Sequence, residues 1–495
     1  MRTDGIDVKR VSFKFNGMIL MAVLSAVLLF AGSALATINF PVGDKTVKFS
    51  GYIEQSAQFG ISGDHLDTYD GFQQGIAKLL LELRCDVTNN LFFYASGKVN
   101  VDWAYDILSG DSEWKHKGFN ESRDALYILD EWNDLLHEAH LTWASGNFRF
   151  RFGKQIIQWG EMDNVAVTSQ IMPADLRRGY AESDFELLFM PITLIKADYF
   201  LDYENEIIMN IGVEFIYNPD WEFRGTEGLV ESSTHTMGIW VPNLGFDPNF
   251  PEPIAFHDPE DGQEFGVRVY ADVWESTIQL MYWDGIQNNP VLTGVDEFLL
   301  FEYDIFAPNQ AGYNDERFIG GSFSREIPVS VAFLGGVAPL IRLEAAYFFD
   351  STIGIFDIPD FYMTLEKDKL LWGVGLDWRI KIPFINAKNG IMVGPEFVQE
   401  KVLDTNAFEV AGVDGSEVAN YWNLYLETWY LHTKLLVNLY MQYESEGETS
   451  FIQPGITYNQ TSNLKYTIGA NFFHGENSRL FNNKDAVYVK VKYQF

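Results

Sequence analysis

The chain contains long runs in which apolar and polar residues alternate, and the clearest run lies at its end. In residues 487–495, Val487, Val489, Val491, Tyr493 and Phe495 share one parity, and Tyr488, Lys490, Lys492 and Gln494 share the other. Such period-two alternation is typical of a strand with one apolar and one wet face. Similar alternation recurs in residues 91–103, 341–349, 372–381, 429–443 and 464–472. The pattern predicts a protein built mainly from amphipathic strands.

The hydrophobic content of the chain is high, yet it is not concentrated in helical spans. Hydrophobic residues make up 47% of the chain and aromatic residues 16%, but after residue 36 no stretch offers the ~20 consecutive apolar residues of a transmembrane helix. A transmembrane strand needs only ~9–11 residues and interleaves its apolar positions with polar ones. A β-sandwich or β-helix would also alternate, but neither requires Trp and Tyr near strand ends, and no short β-helix repeat is found. We therefore predict an all-β, transmembrane antiparallel β-barrel.

The length of the chain limits the number of strands. At about 50–60 residues per hairpin, residues 37–495 predict about 16 strands, with 14–18 allowed. A barrel of this size has a lumen wide enough for solutes. Residues 459–463 are predicted as a short periplasmic turn, and Glu427-Thr428 as the turn that must lie between Tyr421 and Tyr443. Long outer or lumen-folded segments are predicted at residues 104–135, 218–262, 284–316 and 400–418.

The first 36 residues are typical of an export signal rather than of a folded element. Arg2, Lys9, Arg10 and Lys14 precede an apolar run at residues 18–30, and Ala34-Leu35-Ala36 provides a small-x-small cleavage site. We expect a cleaved signal peptide at 1–36 and a single barrel domain at 37–495. A barrel exported in this way is expected in the outer membrane of a Gram-negative cell, with outer-membrane lipid and the barrel-assembly machinery as its partners.

Charge and motif content argue against several other functions. The formal net charge is −34, and no basic cluster suggests a nucleic-acid site. The chain has one Cys and eight scattered His, and no nucleophile-elbow, zinc-protease or P-loop motif is present. We predict no catalytic activity, no cofactor and no metal site.

On the wet parity of the predicted strands, basic residues outnumber acidic ones. Representative lumen-wall candidates are Arg342, Glu344, Arg379, Lys381, Lys434 and Lys492. Two interpretations remain open. The basic side chains either pair with neighbouring carboxylates and hold the wall together, or they form a basic eyelet that favours anionic solutes.

The segment after residue 148 has the most distinctive sequence. Phe148, Phe150 and Phe152 alternate with Arg149 and Arg151, so the two arginines are expected to point inward. Gly160 permits a sharp turn and Pro173 discourages ladder pairing, so residues 153–178 are expected to leave the wall and narrow the pore. An outer loop closed by an Arg–carboxylate clamp is the alternative. The pore-constriction candidates are Arg149, Arg151, Lys154, Glu161, Asp163, Asp175, Arg177 and Arg178.

A motif in this segment resembles a family of bacterial outer-membrane proteins known as domain of unknown function 1302. That family shows a Gly-basic-Gln strand, a Trp-Gly-Glu and an Asn-Pro-x-Asp followed by Arg. This chain matches at Gly153, Lys154, Gln155, Trp159, Gly160, Glu161, Pro173, Asp175 and Arg177. It departs at Met172, where Asn is usual. The resemblance implies a porin-like barrel, in a family often regarded as the outer-membrane partner of RND-type exporters.

Together these features predict a porin-like outer-membrane channel for small or amphipathic solutes. An anion preference would follow from the basic-eyelet interpretation, and a link to an RND-type exporter is what the family resemblance implies. The alternative is a surface adhesion or scaffold barrel with a filled lumen. The charged wet parity favours water inside the barrel over a filled lumen.

Overall fold

The structure, a computed structural model, describes residues 38–43, 45–61, 71–104, 135–174, 189–203, 205–219, 255–257, 262–289, 291–295, 308–329, 337–354, 364–405, 417–446, 448–475 and 485–495. The predicted signal peptide lies outside these ranges, and its cleavage remains a prediction. No helix within the described ranges is long and apolar enough to cross a membrane.

The described residues form 23 strands. Their bounds are β1 Ile38–Val42, β2 Lys45–Gly60, β3 Gly71–Gln74, β4 Ile76–Asp86, β5 Leu91–Asp102, β6 Leu136–Ser145, β7 Phe148–Gln155, β8 Ile192–Phe200, β9 Ile208–Pro219, β10 Ala255–His257, β11 Gln263–Val273, β12 Ser276–Ile286, β13 Val291–Val295, β14 Pro308–Gly312, β15 Asp315–Glu326, β16 Leu340–Gly354, β17 Thr364–Ile382, β18 Ala387–Val402, β19 Val418–Tyr430, β20 Leu435–Glu444, β21 Thr449–Asn459, β22 Leu464–Gly475 and β23 Ala486–Gln494. One helical turn, α1 at Pro383–Asn386, joins β17 to β18.

One antiparallel sheet closes on itself. It contains 20 strands, of which β1 and β3 are short additions beside β2. The other 18 pair with their neighbours around a ring, which β2 and β23 close over Tyr52↔Gln494 to Gly60↔Ala486. The backbone N–H of Phe495 also donates to the carbonyl of Gly51. The transmembrane β-barrel prediction is confirmed.

The ring has more strands than the predicted 16, although 18 lies inside the predicted range. The difference arises because most of the alternate connections are very short, although residues 201–207 and 327–339 form longer ones. Residues 87–90, 146–147 and 274–275 are complete turns between long strands. Residues that longer turns would have used are therefore available to form one more hairpin.

Two connections differ from the sequence prediction. The hairpin between β19 and β20 turns at Leu431–Lys434, not at Glu427-Thr428. Leu431, His432 and Thr433 all have positive φ, so the turn forms without Gly, Pro or Asp and leaves little sequence signal. Residues 284–316 are also not wholly irregular, because β13 and β14 form a three-stranded sheet with β10. The predicted turn at 459–463 is confirmed between β21 and β22.

The two faces of the wall differ as the alternation predicts. Leu343, Trp372 and Ile468 are 40%, 36% and 57% exposed, whereas Arg342 and Glu344 are buried. Directly opposed residues of antiparallel strands share a face. The pairs therefore place the predicted lipid-facing residues on the outer face, namely Leu343, Tyr347, Trp372, Val374, Trp378, Val437, Leu439, Ile468 and Val491.

The middle of β20 provides a test of the outer face. Leu439→Arg places a cation on that face and is expected to lower the free energy of unfolding in lipid vesicles by about 2–4 kcal/mol. The neighbouring Asn438→Arg, on the inner face, is the matched control and should cost much less. Reversible urea unfolding in vesicles measures both. Equal losses in the two variants would contradict the assignment of faces.

Candidate functional site

Residues 156–174, here called the inner segment, leave the wall after β7 and pack against its inner face. Their apolar side chains, including Ile157, Trp159 and Met162, are buried in one cluster. The wall residues of that cluster come from seven strands: Ile192, Leu194, Ile216, Met281, Trp283, Phe318, Ala346, Phe348, Leu371 and Val398. Ala346 and Phe348 have the parity of the inward Glu344, opposite to the exposed Leu343. The inner segment therefore lies inside the barrel, against the side formed by β8 to β18.

Trp159 fixes the start of the inner segment. Its side chain is fully buried, and its ring meets that of Trp283 edge-on at 6.3 Å between centroids. Its indole Nε1 donates to Glu214 Oε1 at 2.6 Å. Glu214 also accepts from Arg268 Nη2 at 2.8 Å and pairs with Lys196. The tryptophan thus joins a buried carboxylate that is already held by two cations.

Glu344 of β16 binds the backbone of the inner segment. Its carboxylate accepts from the backbone N–H of Glu161, from that of Met162 at 2.8 Å, and from that of Thr168 at 3.1 Å. The hydroxyl of Thr168 donates to it at 2.9 Å. Hydrogen bonds to an ionised carboxylate are charge-assisted, and several of them together offset the free-energy cost of burying the group.

Gly160 makes the bend before this carboxylate possible. Its φ is +87°, a conformation that residues with a Cβ rarely adopt. A Cβ here would lie 2.3 Å from Thr168 Oγ1 and 2.5 Å from Glu344 Oε1. The position therefore requires glycine both for its backbone angle and for the close approach of the carboxylate.

Glu396 of β18 is the second acceptor for the inner segment, and Arg342 lies beside it. Glu396 accepts from the backbone N–H of Asp163 and Asn164 at 3.2 and 3.3 Å. Arg342 Nη1 lies 2.7 Å from Asp163 Oδ2, and its Nε lies 3.1 Å from Asp377 Oδ2. The same guanidinium donates to the carbonyl of Glu161. The segment is therefore tied to the wall by groups of both signs.

Two acidic side chains of the inner segment differ in exposure. Glu161 is half-buried and accepts from Gln279 Nε2 at 2.8 Å. Burial raises the pKa of its carboxyl above the ordinary value, although the hydrogen bond from Gln279 opposes this shift. The side chain of Asp163 is 69% exposed despite its contact with Arg342. Asp163 is thus the charge that the described part of the segment presents most openly to the lumen.

The structure separates the constriction candidates into three groups. Arg149 and Arg151 share the inner-facing parity of β7; Arg149 lies over the ring of Phe200, and Arg151 donates to Thr142 Oγ1 at 3.2 Å. Glu161 and Asp163 lie on the inner segment as described. Lys154 is buried near the end of β7, directly after Gly153 with its φ of +128°, and its role in the constriction stays a prediction. Asp175, Arg177 and Arg178 lie outside the described residues.

The lumen-wall candidates from the sequence lie in different environments. Arg342 and Glu344 are buried against the inner segment. Arg379 and Lys381 are exposed near the α1 turn, where Arg379 donates to the carbonyl of Asn389 at 3.3 Å. Lys492 places its Nζ 3.7 Å from the centre of the Tyr52 ring. Lys434 requires correction, because it lies in the exposed Leu431–Lys434 turn rather than on the wall.

Sequence reasoning did not identify Glu214, Glu396 and Thr168 as residues that hold the segment. Glu214 has a weak signal, since it is the acidic residue on the inner parity of β9 and lies between the apolar Val213 and Phe215. Glu396 has the same signal beside Pro395 and Phe397. Nothing in the sequence indicates that either carboxylate would meet the inner segment.

The hydrogen bonds that Glu344 accepts from the inner segment, here called the Glu344 clamp, give a testable prediction. Glu344→Ala removes the acceptor for three backbone N–H groups and one hydroxyl, so the inner segment should become accessible to limited proteolysis between residues 160 and 170. Gly160→Val should act in the same direction through steric overlap. Glu427→Ala, which removes an inner-face carboxylate bound to Tyr425 and Trp429 instead, is the matched control. An unchanged cleavage pattern in Glu344→Ala would show that the clamp does not hold the segment.

Comparison of the chain with models of known protein families identifies one family. The model of the family described as "Protein of unknown function (DUF1302)" matches residues 17–366. No curated protein matches the chain.

Three solved structures are similar in fold. Pseudomonas aeruginosa OccK11 (OpdR) has 9% identity and a TM-score of 0.47, covering 91% of this chain and 96% of its own. Salmonella typhi OmpF in complex with daunomycin has 11% identity and a TM-score of 0.38, covering 92% and 100%. A mutant of the Rh. blastica porin has 12% identity and a TM-score of 0.35, covering 91% and 100%. Because the family model covers most of the chain, this protein belongs to the DUF1302 family.

Proposed function

We propose that this protein is an outer-membrane channel for small or amphipathic solutes, with an aperture narrowed by the inner segment. The observation that carries the proposal is the position of that segment. Its apolar cluster contacts wall residues from β8 to β18, which is one side of an 18-stranded ring. Rings of 16–18 strands leave an aqueous channel, so a segment held against one side narrows the lumen without filling it.

The polar character of the inner face supports an aqueous lumen. On the wall opposite the inner segment, the inner-face Arg84 has a side chain that is 63% exposed, and the more deeply placed Lys78 is buried 3.7 Å from Glu54. The outer face of the same strands is apolar. Irregular backbone at membrane depth is tolerated where it lines a water-filled cavity, which is the arrangement of the inner segment.

An anion preference is part of the proposal. It is attributed to the wall around β2 and not to the neighbourhood of Arg342, which was among the candidates from the sequence. Arg342 is surrounded by Asp163, Asp377 and Glu396, so its charge is compensated. The described inner-face parity of β22, β23, β2, β4 and β5 is more basic. It carries Lys48, Lys78, Arg84, Lys98, Lys465, Lys490 and Lys492 against Glu54, Glu82, Asp86 and Asp102.

The constriction in this proposal has acidic and basic parts. Glu161 and Asp163 border it on the inner segment, and Arg149 and Arg151 border it on β7. Asp175, Arg177 and Arg178 follow the described part of the segment in sequence and complete the proposed set. A link to an RND-type exporter is supported only by the family resemblance.

A conductance measurement tests the channel against the adhesion or scaffold alternative. Purified protein in planar bilayers with KCl should give discrete current steps, because a narrowed aqueous lumen conducts small ions. Deletion of residues 161–167 should raise the step size. A folded barrel that inserts without current steps would favour the alternative with a filled lumen.

The charge pair at the inner segment gives a second prediction. Asp163→Asn removes an exposed negative charge from the lumen, so reversal potentials in a KCl gradient should shift toward anion selectivity. Arg342→Gln in the same chain restores the net charge and should reverse most of that shift. Asp272→Asn, near the short-turn end of β11, is the control and should shift selectivity less. An unchanged reversal potential in Asp163→Asn would exclude the inner segment from the selectivity region.

A further inference from the structure

The inner face of β19 to β22 carries aromatic side chains on four adjacent strands. They are Trp429 and Tyr425 on β19, Tyr440 on β20, Phe451 on β21 and Phe473 on β22, here called the aromatic line. The opposed pairs Glu396↔Asn423, Asn423↔Gln442, Gln442↔Phe451 and Phe451↔Phe473 place the line on the face of Glu396. Inner faces of channel barrels are ordinarily polar, so this line needs a physical reason.

The aromatic line crosses the wall, and the rings of Tyr440, Phe451 and Phe473 contact one another in sequence. Tyr425 is directly opposite Tyr440. The rings of Tyr440 and Phe451 meet edge-on at 5.9 Å, and those of Phe451 and Phe473 stack at 4.8 Å. Phe473 lies near the long-connection end of β22, and Trp429 lies two residues before the short turn after β19. The line therefore runs from one mouth of the barrel toward the other.

The polar atoms of these rings are held by the wall. Tyr425 Oη donates to Glu427 Oε2 at 2.6 Å, and Trp429 Nε1 donates to Glu427 Oε1 at 2.8 Å. Tyr440 Oη donates to Asn423 Oδ1 at 3.2 Å. Trp429, Tyr425, Tyr440 and Phe451 are each half-buried. Phe473 is buried. Because the polar ends of Trp429, Tyr425 and Tyr440 are engaged, the part of the four half-buried rings that reaches the lumen is their apolar body.

The apolar cluster that fixes the inner segment does not account for the line. That cluster draws its wall residues from β8 to β18, and Tyr421 is the β19 residue that packs against it. None of the five aromatic-line residues belongs to the described cluster. The line thus begins where the contacts of the inner segment end, on the wall that borders the remaining lumen.

We propose that the aromatic line is a contact path for planar aromatic solutes, an inference that rests on the proposed channel function. Aromatic rings attract one another by offset stacking and edge-to-face contact. A series of weak sites allows a solute to enter and also to leave. Sugars are the poorer fit, because the hydroxyl and indole groups of the line already donate to Glu427 and Asn423 and are not available to sugar hydroxyls.

Relative permeability in planar bilayers tests the path. The probes are sodium benzoate and sodium cyclohexanecarboxylate, which match in charge and nearly in size but differ in planarity. The wild type is expected to favour benzoate. Tyr440→Leu should lower the benzoate/cyclohexanecarboxylate ratio about two- to tenfold, the range for one ring–ring contact, whereas Tyr440→Phe should retain it. Tyr94→Leu, a half-buried inner-face tyrosine on β5, is the control and should leave the ratio unchanged.

The outcomes distinguish the path from the channel itself. A KCl conductance with equal ratios in wild type and Tyr440→Leu would overturn the aromatic path and leave the channel intact. A barrel without KCl conductance would overturn the channel. In that case, fluorescence titration of the detergent-solubilised barrel with 2-naphthoate decides the remaining point. Binding that weakens in Tyr440→Leu but not in Tyr94→Leu supports the line as an aromatic site, and equal binding in all three overturns it.

Discussion

The structure depends on the requirement that every backbone hydrogen-bonding group within a bilayer finds a partner in the protein. An open sheet would leave an edge strand unpaired in lipid, where each unsatisfied group costs several kcal/mol. The pairing of β2 with β23 removes that edge. Once the ring is closed, each strand has one face toward lipid and one toward the lumen, and the chemistry of the two faces can diverge.

The inner segment meets the same requirement by a different route. Its backbone is irregular, so it cannot satisfy its N–H groups through a ladder. Two wall carboxylates do so instead, because Glu344 and Glu396 accept from the N–H groups of residues 161–165 and 168. Trp159 adds a side-chain donor for Glu214. Burying these carboxylates is tolerable because each has several donors, and the result is a segment with one position inside the barrel.

The lumen consequently has two unlike sides. The side from β8 to β18 is covered by the inner segment and its apolar cluster. The other side keeps its lysines, arginines and aromatic rings on the inner-face parity of the wall. In the proposed channel, a solute that passes the inner segment would meet a surface of different chemistry from the one that narrows its path, so size selection and chemical preference would be separated.

Local sequence was sufficient for much of this structure. The alternation in residues 341–349 and 487–495 determined which side chains face lipid, because the period of two is a property of each strand alone. Gly160 and Pro173 likewise indicated where the chain leaves the wall, since backbone conformation is a local matter. The turn at Leu431–Lys434 escaped prediction because three residues with side chains adopt positive φ there without a glycine to mark them.

Tertiary structure decided which groups meet. Glu161 and Glu344 are 183 residues apart, and Asp163 and Glu396 are 233 apart. Their contact depends on the number of strands, their register and the path of the inner segment through the lumen. The sequence by itself determined the two faces of each strand and indicated a departure from the wall within residues 153–178, although residues 153–155 still belong to β7 and an outer loop was an open alternative. The carboxylates that hold this segment, and the joining of aromatic residues from four strands into one line, were decided only when the ring closed, because inter-strand pairing brings together residues that no local pattern connects.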